Sequence, residues 1–397
     1  LLPLYYRLNL HSIYGYLNTR YGNHAYKTGA SFFLVSRTLG SAIRLMVVAL
    51  VLQQLVFGPL NIPFWAATVA TIALIFLYSF KGGVKTIIWT DFFQTLVLIA
   101  TIVLSVYYVC ERMDLNLFSA VKTISASKYS NIFIWDPDSP RFFWKQFLAG
   151  IFTVITMTGL DQDMMQKNLS CKTLKEAKKN IYWHGTAYLP INLLFLSLGA
   201  LIYMFLAKTG QTLPDHPDKV FAFAATNGSL PPVVGVLFVL GIVAAAYSSA
   251  DSAMTALTTS FTLDIMGMDP YKPSIVKVRR WVHLGIAFVF ILLIIGFEKI
   301  QSGSVIDVVY QVAGYTYGPL LGMYAFGMFT KRTVRDRWVP WICVLAPLMC
   351  FVAKANAQLF FGSYRFGFEL LIYNGLLTAF GLWLSGLGLA KQANPID

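Results

Sequence analysis

The apolar residues of this chain come in blocks of about 20, separated by short polar segments, and this spacing restricts the possible fold more than any other feature. A helix of about 20 apolar residues crosses the roughly 30 Å of hydrocarbon in a bilayer. Charged residues make up only 12% of the 397 residues, whereas soluble domains carry about 25%. The sequence therefore predicts an all-α polytopic membrane protein with one membrane domain.

Apolar blocks along the chain predict ten transmembrane helices. Glycine, proline and charged residues separate the blocks, as at Gly58-Pro59 and Lys81-Gly82-Gly83. The predicted spans are 29–57, 62–80, 86–109, 143–160, 183–207, 232–260, 281–297, 305–329, 339–361 and 367–390. One connection, 110–142, is long and carries charges of both signs, so we expect short surface helices within it.

The basic residues are concentrated in alternate loops, at 167–180, 266–280 and 331–338. Loops rich in Lys and Arg face the cytoplasm. These loops are therefore expected inside the cell, and counting spans places residues 1–28 and the C-terminus there too. The net charge of +13 then reflects orientation in the membrane rather than nucleic-acid binding. The pattern predicts a multi-pass protein of the plasma or inner membrane, with both ends of this chain in the cytoplasm.

Other sequence features argue against several classes of protein. The chain opens with LLPLYYRLNL and lacks the charged start and cleavage site of a signal peptide, and we expect that further N-terminal residues precede it. The four cysteines show no disulfide or metal-site spacing. The sequence contains no nucleophile–base pair, His-rich metal motif or phosphate loop, so it does not predict an enzyme.

Several ionisable residues fall inside the predicted spans. They are Arg37 and Arg44 in the first, Asp91 in the third, Asp251 in the sixth and Lys354 in the ninth. Such a group is costly in hydrocarbon unless it is paired or faces water, so each is a functional candidate. For the three basic residues, the alternative is structural pairing or extension of the charge towards the interface.

Span six contains the run GIVAAAYSSADSAMTALTTS, in which small and hydroxyl side chains form a stripe. At about 100° per residue, the residues that share this face are Ala245, Ser248, Ser249, Ser252, Ala256 and Thr259. The stripe is compatible with a tight helix–helix seam, in which small residues let two backbones approach. It is also compatible with a site for a hard cation, because hydroxyls, a free carbonyl and a nearby carboxylate supply oxygen ligands.

Span four, with the run GIFTVITMTGLDQDMMQ, is short, rich in hydroxyls and interrupted at Gly159. Discontinuous helices of this kind form substrate and ion sites in secondary transporters, because a broken turn exposes carbonyls and amides. A kinked packing helix is the alternative.

Four groups of motifs follow one another along the chain. They are Tyr5-Tyr6-Arg7-Leu8 with Ser12 to Leu17 and Arg20-Tyr21-Gly22; Tyr78 to Gly83 with Trp89-Thr90-Asp91 and Gln94; Asp161-Gln162 with Gln166-Lys167 and the run 172–179; and Ser248-Ser249 with Thr262 to Ile265. From residue 1 to about residue 335, these motifs and their order resemble those of the sodium:solute symporter family, the relatives of the sodium/glucose and sodium/proline cotransporters.

The resemblance implies a LeuT-type inverted repeat of five plus five helices. Residues 1–28 would form a cytoplasmic segment before the core, the lead-in segment. Residues 29–330 would supply core helices three to ten, and residues 339–390 would form two peripheral helices. A peripheral helix and core helices one and two are then expected outside this chain.

The resemblance also implies sodium-binding positions. The conserved sodium site corresponds to the carbonyl of Ala245 and the hydroxyls of Ser248 and Ser249. The positions that match a second sodium site, found in some members, are Asp91, Asp251 and Ser252. The family often has a neutral residue at position 251, so this aspartate either strengthens the second site or pairs with a basic residue.

The substrate positions depart from the sugar-transporting members. Where those members keep an Asn, an aromatic gate and a Lys, this chain has Val154, Met157-Thr158 and Tyr188, so we predict that galactose is not recognised in the sugar mode. Other candidate substrate-side polar groups are Gln311, Tyr310, Tyr315 and Tyr317. The alternative for the tyrosines is a packing or interfacial role.

Together, the resemblance implies a sodium-coupled secondary-active symporter that imports a small organic solute, such as a sugar, sialic acid or carboxylate, by alternating access. Its ligands would be that solute and sodium, within a lipid bilayer and with no nucleic acid or obligate protein partner. Two alternatives stay open. The domain could be the membrane input module of a signalling protein, or coupling could use protons, since Asp91 and Asp251 can titrate.

Overall fold

The computed structural model describes residues 1–10, 12–79, 84–214, 216–299 and 304–389. Within its helices, the side chains at positions 78, 79, 84–88, 90, 91 and 246 lie outside the description. The described residues are predominantly helical and form no β-strand.

The described helices follow the predicted spans closely. In chain order, the α-helices are α1 Leu2–Arg7, α2 Gly15–Arg20, α3 Asn23–Leu52, α4 Phe64–Ser79, α5 Val84–Arg112, α6 Leu117–Ser125, α7 Phe143–Val154, α8 Gln162–Leu169, α9 Leu174–Lys208, α10 Val220–Thr226, α11 Pro232–Ser260, α12 Ser274–Glu298, α13 Val305–Phe329, α14 Val339–Ala355, α15 Ala357–Phe361 and α16 Leu370–Ser385. Single π-helical turns continue α3, α7 and α11 at Gln53–Phe57, Ile155–Gly159 and Phe261–Ile265.

Each of the ten predicted spans contains a helix: α3, α4, α5, α7, α9, α11, α12, α13, α14 and α16. Within the described ranges, six helical segments are long and apolar enough to cross a membrane alone. The segments Phe143–Gly159 and Gln162–Leu169 make a further span that bends by 59°. The long connection holds α6, a short helix of the kind expected there.

The helix of span five is longer than the predicted span 183–207, because α9 begins at Leu174. Thr173 caps this helix, and its hydroxyl accepts a hydrogen bond of 3.2 Å from the backbone N–H of Glu176. A good cap and Lys-, Glu- and Ala-rich residues continue a helix beyond the bilayer. Hydropathy detects only the part that crosses the hydrocarbon.

The start of α3 is fixed by a residue far away in the sequence. Asp336 accepts hydrogen bonds of 2.9 and 2.8 Å from the backbone N–H groups of His24 and Ala25, which satisfies amides that have no partner within the helix. Gly22 precedes the helix with φ of 132°, and a Cβ there would lie 2.6 Å from an Asp336 oxygen. The turn therefore requires glycine.

The end of α13 is capped by Arg20 in a similar way. The guanidinium of Arg20 donates to the carbonyls of Gly327, Thr330 and Arg332 at 3.2, 2.8 and 2.9 Å. A cation is favourable at a helix C-terminus, where carbonyls lack partners. Residues 1–28 and the basic loop 331–338 consequently lie at the same end of the bundle.

The core is built around α3, α11 and α13, with α16 packed closely against α13. A Cβ added at Gly322 of α13 would lie 2.5 Å from the carbonyl oxygen of Gly375 on α16. Small residues let membrane helices approach this closely. A second apolar cluster joins α5, α9, α10 and the beginning of α11.

Candidate functional site

The broken helix predicted in span four is present. Helix α7 continues into the π-helical turn Ile155–Gly159, and the chain then bends before α8 begins at Gln162. Asp161 caps α8, since its side chain accepts from the backbone N–H groups of Asp163 and Met164 at 2.9 and 3.3 Å. The interruption at Gly159 is therefore a structured break that exposes backbone carbonyls.

Tyrosines from the lead-in residues bind the carbonyls at this break. Tyr5 donates its hydroxyl hydrogen to the carbonyl of Gly159 at 2.8 Å, and Tyr14 donates to that of Leu160 at 3.0 Å. The side-chain carbonyl of Gln162 accepts from the backbone N–H of Ile13 at 2.9 Å. These carbonyls thus hold the segment before α3 in place, a role that no local pattern in the sequence indicates.

Asp264, at the end of α11, holds the same segment from a second side. The hydroxyls of Ser12, Tyr26 and Ser260 donate to its two carboxylate oxygens at 2.9, 2.7 and 2.6 Å. This buried carboxylate joins the lead-in residues, α3 and α11. Motif residues from the lead-in segment, the region of α8 and the end of α11 therefore meet in a layer at one end of the bundle.

Arg37 is paired, as the structural alternative predicted. It donates to Asp163, and its Nη1 lies 3.9 Å from Oδ2 of Asp161. Tyr317 donates its hydroxyl hydrogen to Asp161, which gives this tyrosine a structural role. Arg37 is 6% exposed and both carboxylates are buried, so the cluster ties α3, α8 and α13 together within the protein.

A cavity of about 430 Å³ lies at the opposite end of the bundle. The residues that line it include Arg44, Met157, Asp218, Ile242, Val305 and Tyr310. Asp218, in the connection before α10, accepts a hydrogen bond of 3.0 Å from the backbone N–H of Val305, the first residue of α13. The other end of α13 leads into the basic loop 331–338, which places the cavity away from the basic loops.

The hydroxyl stripe of α11 begins beside this cavity. Ile242 lines the cavity, and at about 1.5 Å rise per residue Ala245 lies about 5 Å and Ser249 about 10 Å further along the axis. Ala245, Ser248 and Ser249 are partly exposed. The predicted sodium ligands therefore lie within a few turns of the cavity wall.

The second predicted ion site is described only in part. Ser252 is buried, and within the described residues its Oγ has no hydrogen-bond partner. Asp251 is also buried, and it is rotated by about 100° from Ser252 around the helix. The side chain of Asp91 lies outside the described residues, so its approach to either group stays a prediction.

The predicted substrate residues are not all brought together. Met157 lines the cavity, while Val154 and Tyr188 are 61% and 56% exposed on α7 and α9. Gln311 is exposed, and its carbonyl oxygen accepts a hydrogen bond of 3.2 Å from Lys354. The remaining candidates are Thr158, which is partly buried, Tyr315, which packs beside Phe351, and Tyr310, which lines the cavity.

Comparisons with known proteins relate the chain to sodium-coupled transporters. The model of the sodium:solute symporter family matches residues 1–336. The chain is 26% identical over 343 residues to mouse sodium-coupled monocarboxylate transporter 1, covering 82% of this chain and 54% of that protein. It is 26% identical over 344 residues to the human sodium/iodide cotransporter, covering 83% and 52%. The chain thus spans about half the length of these relatives.

A solved structure has the same fold. It shows the substrate-bound outward-open state of a Na⁺-coupled sialic acid symporter, and its similarity to this chain has a TM-score of 0.80 at 19% identity. The match covers 99% of this chain and 80% of the other. The described helices therefore adopt the LeuT-type arrangement that the sequence motifs predicted.

Proposed function

We propose that this chain, which belongs to the sodium:solute symporter family, forms the solute- and ion-binding part of a symporter that uses a sodium gradient to import a small organic solute. The proposal rests on one observation: the cavity reaches both the broken helix, at Met157, and the hydroxyl-bearing helix, at Ile242. Broken helices and adjacent ion ligands are what coupling requires, because solute and ion must bind in one conformation.

The coupling sodium is proposed to bind the carbonyl oxygen of Ala245 and the hydroxyls of Ser248 and Ser249. A carbonyl within a helix keeps a second lone pair, so Ala245 can ligate an ion without breaking the helix. These groups supply three oxygens, whereas hard cations take about six or more. We propose that the remaining ligands come from segments of the protein outside this chain.

A second ion is proposed at Asp91, Asp251 and Ser252. The buried Oγ of Ser252 supports this site, because a buried hydroxyl without a partner costs about 1–3 kcal/mol. A bound cation beside Ser252 would supply the missing interaction. Whether that ion is sodium or a proton on one of the carboxylates is an outcome of the transport experiment below.

We propose that the end of the bundle that carries the lead-in residues 1–28 faces the cytoplasm. The lead-in residues lie there with the basic loop 331–338, and the ring of Trp383 near the end of α16 lies 5.5 Å from the guanidinium of Arg332. The lead-in residues and the end of α16 therefore lie at the same end of the bundle as this basic loop. With this orientation the cavity faces outward, and the lead-in layer closes the cytoplasmic side.

The experiment is uptake by the full-length protein in liposomes with an inward sodium gradient, an inward proton gradient or neither. The solute panel contains a sugar, a sialic acid, a short carboxylate and an amino acid. Accumulation that requires the sodium gradient supports the proposal. The proposal is contradicted if the uptake of every accepted solute depends on the proton gradient alone, or if uptake depends on neither gradient.

A further inference from the structure

Two arginines lie two turns apart on α3, and their surroundings differ. Arg37 has carboxylates from Asp161 and Asp163 beside it. Arg44 is half-buried and donates from Nε to the carbonyl of Gly40 at 3.0 Å. Among the described residues, no Asp or Glu oxygen lies within 4 Å of the Arg44 guanidinium. Arg44 therefore carries a charge that this part of the chain leaves without a direct counter-ion.

A partly buried cation without a counter-ion is costly unless it faces water or a ligand. The structure gives Arg44 such an outlet, because it lines the 430 Å³ cavity. Its two terminal nitrogens form a planar fork, and such a fork matches a carboxylate by two parallel hydrogen bonds. The free side of the guanidinium is thus suited to an anion of this shape.

The carboxylate that shares the cavity wall is engaged elsewhere. Asp218 accepts from the backbone N–H of Val305 at 3.0 Å, and its Oδ2 also lies 3.4 Å from Nδ1 of His216. These contacts hold it beside the start of α13. Among the described residues, its carboxylate forms no ion pair with Arg44 within 4 Å.

The remaining wall is largely apolar. Val47, Ile242 and Val309 contribute aliphatic surface, and Met157 adds a flexible thioether. Tyr310 lines the same cavity as Arg44 and adds an aromatic ring and a hydroxyl group to its wall. The cavity therefore combines one cationic end with an apolar body, and its volume is in the range of about 300–1,000 Å³ that is usual for small-molecule sites.

We infer that Arg44 binds the carboxylate of the transported solute and that the solute is a small monocarboxylate with an apolar body. This inference rests on the proposed function and narrows its solute class. The solutes named for three similar proteins are also anions: one protein is a monocarboxylate transporter, one is an iodide cotransporter and one is a sialic acid symporter. A neutral sugar would leave the guanidinium without a counter-ion.

The test compares butyrate with butyramide, which replaces the carboxylate by a neutral amide of similar shape. Binding to the purified full-length protein in sodium is measured by calorimetry for the wild type, Arg44→Gln, Arg44→Lys and the control Arg365→Gln. Arg365 is an exposed arginine of the loop before α16, near the cavity end of the bundle and outside the cavity wall. Sodium-driven uptake of butyrate and galactose is measured in parallel.

We expect the wild type to prefer butyrate over butyramide by about 10- to 100-fold, as for a hydrogen-bonded charge pair. Arg44→Gln removes this preference, Arg44→Lys retains part of it, and Arg365→Gln leaves it unchanged. Equal affinities for butyrate and butyramide in the wild type overturn the inference, even if Arg44→Gln fails to fold. Unchanged butyrate affinity in a folded Arg44→Gln protein overturns it as well.

The two proposals can fail separately. Sodium-driven galactose uptake that butyrate does not inhibit leaves the symporter proposal standing and overturns the carboxylate site. Butyrate binding that depends on Arg44, without sodium-driven uptake of any solute, supports the carboxylate site and contradicts the symporter proposal.

Discussion

Replacing Arg37 by methionine should destabilise the protein far more than the same replacement at Arg44. Methionine keeps much of the length and apolar stem of arginine, so packing changes little. At position 37 it leaves Asp161 and Asp163 buried without the cation that both face. Breaking a buried pair by removing one partner costs about 3–5 kcal/mol. Arg44 has no carboxylate within 4 Å in the described residues, so its loss leaves no buried anion behind.

A second substitution separates the electrostatic loss of stability in Arg37→Met from a packing effect. Asp163 makes the shorter contact with Arg37, so Asp163→Asn in the Arg37→Met background removes the strongest uncompensated charge. We expect the double variant to recover a large part of the lost stability, because neutral partners need less compensation than ions. The carboxylate of Asp161 keeps the hydrogen bond from Tyr317 and the two backbone N–H groups at its cap.

The assay is thermal unfolding of detergent-solubilised full-length protein, followed by the monodisperse fraction on size-exclusion chromatography. Arg37→Met should lower the midpoint strongly, Arg44→Met should change it little, and Asp163→Asn should partly restore the Arg37→Met protein. Equal losses for the two arginine variants, or no restoration by Asp163→Asn, would refute the charge-pair reasoning. The cluster would then act through shape alone.

Two further predictions concern the lead-in segment and its orientation. Gly22→Ala should clearly lower the same unfolding midpoint, because a Cβ there meets Asp336 and φ is positive. Gly285→Ala, where the Cβ meets no atom within 4 Å, is the control. Equal effects of the two substitutions would contradict the steric account. Cys171 should be alkylated from the cytoplasmic side only. Burial, with a smaller contribution from Glu176, raises the pKa of its thiol, so labelling should be slow at neutral pH and faster at higher pH; strong labelling of intact cells by an impermeant reagent would contradict the orientation.

The helices were largely predictable from the sequence because the bilayer imposes a single length scale. The break at Gly159 was also predictable, since glycine and a following Asp161 cap are local signals. The starting point of α9 was not, because a helix can continue into water where hydropathy falls. Local propensity and capping decide that boundary, and neither depends on the membrane.

The roles of individual polar residues were harder to predict, because their partners are far away in the sequence. Arg37 and Arg44 look alike in span one, and only the fold shows that Asp163, 126 positions later, lies beside the first of them. The same holds for Arg20, whose partners lie beyond residue 326. The stripe at Ser248 and Ser249 was visible from helical periodicity alone, but its position beside a cavity was not.

The most direct test of sodium coupling is the sodium dependence of uptake in Ser248→Ala/Ser249→Ala. The double change deletes two proposed ligands and keeps the small size of the stripe. Losing each oxygen could cost on the order of 1–3 kcal/mol, or roughly 5- to 150-fold in affinity. Thr259→Ala is the matched control, since it removes a hydroxyl from the same stripe about 15 Å further along the helix. We predict normal membrane expression for both variants and a much higher sodium concentration for half-maximal uptake in the serine variant alone. A serine variant with the sodium dependence of the wild type, at normal expression, would contradict the account and leave the stripe as a packing seam.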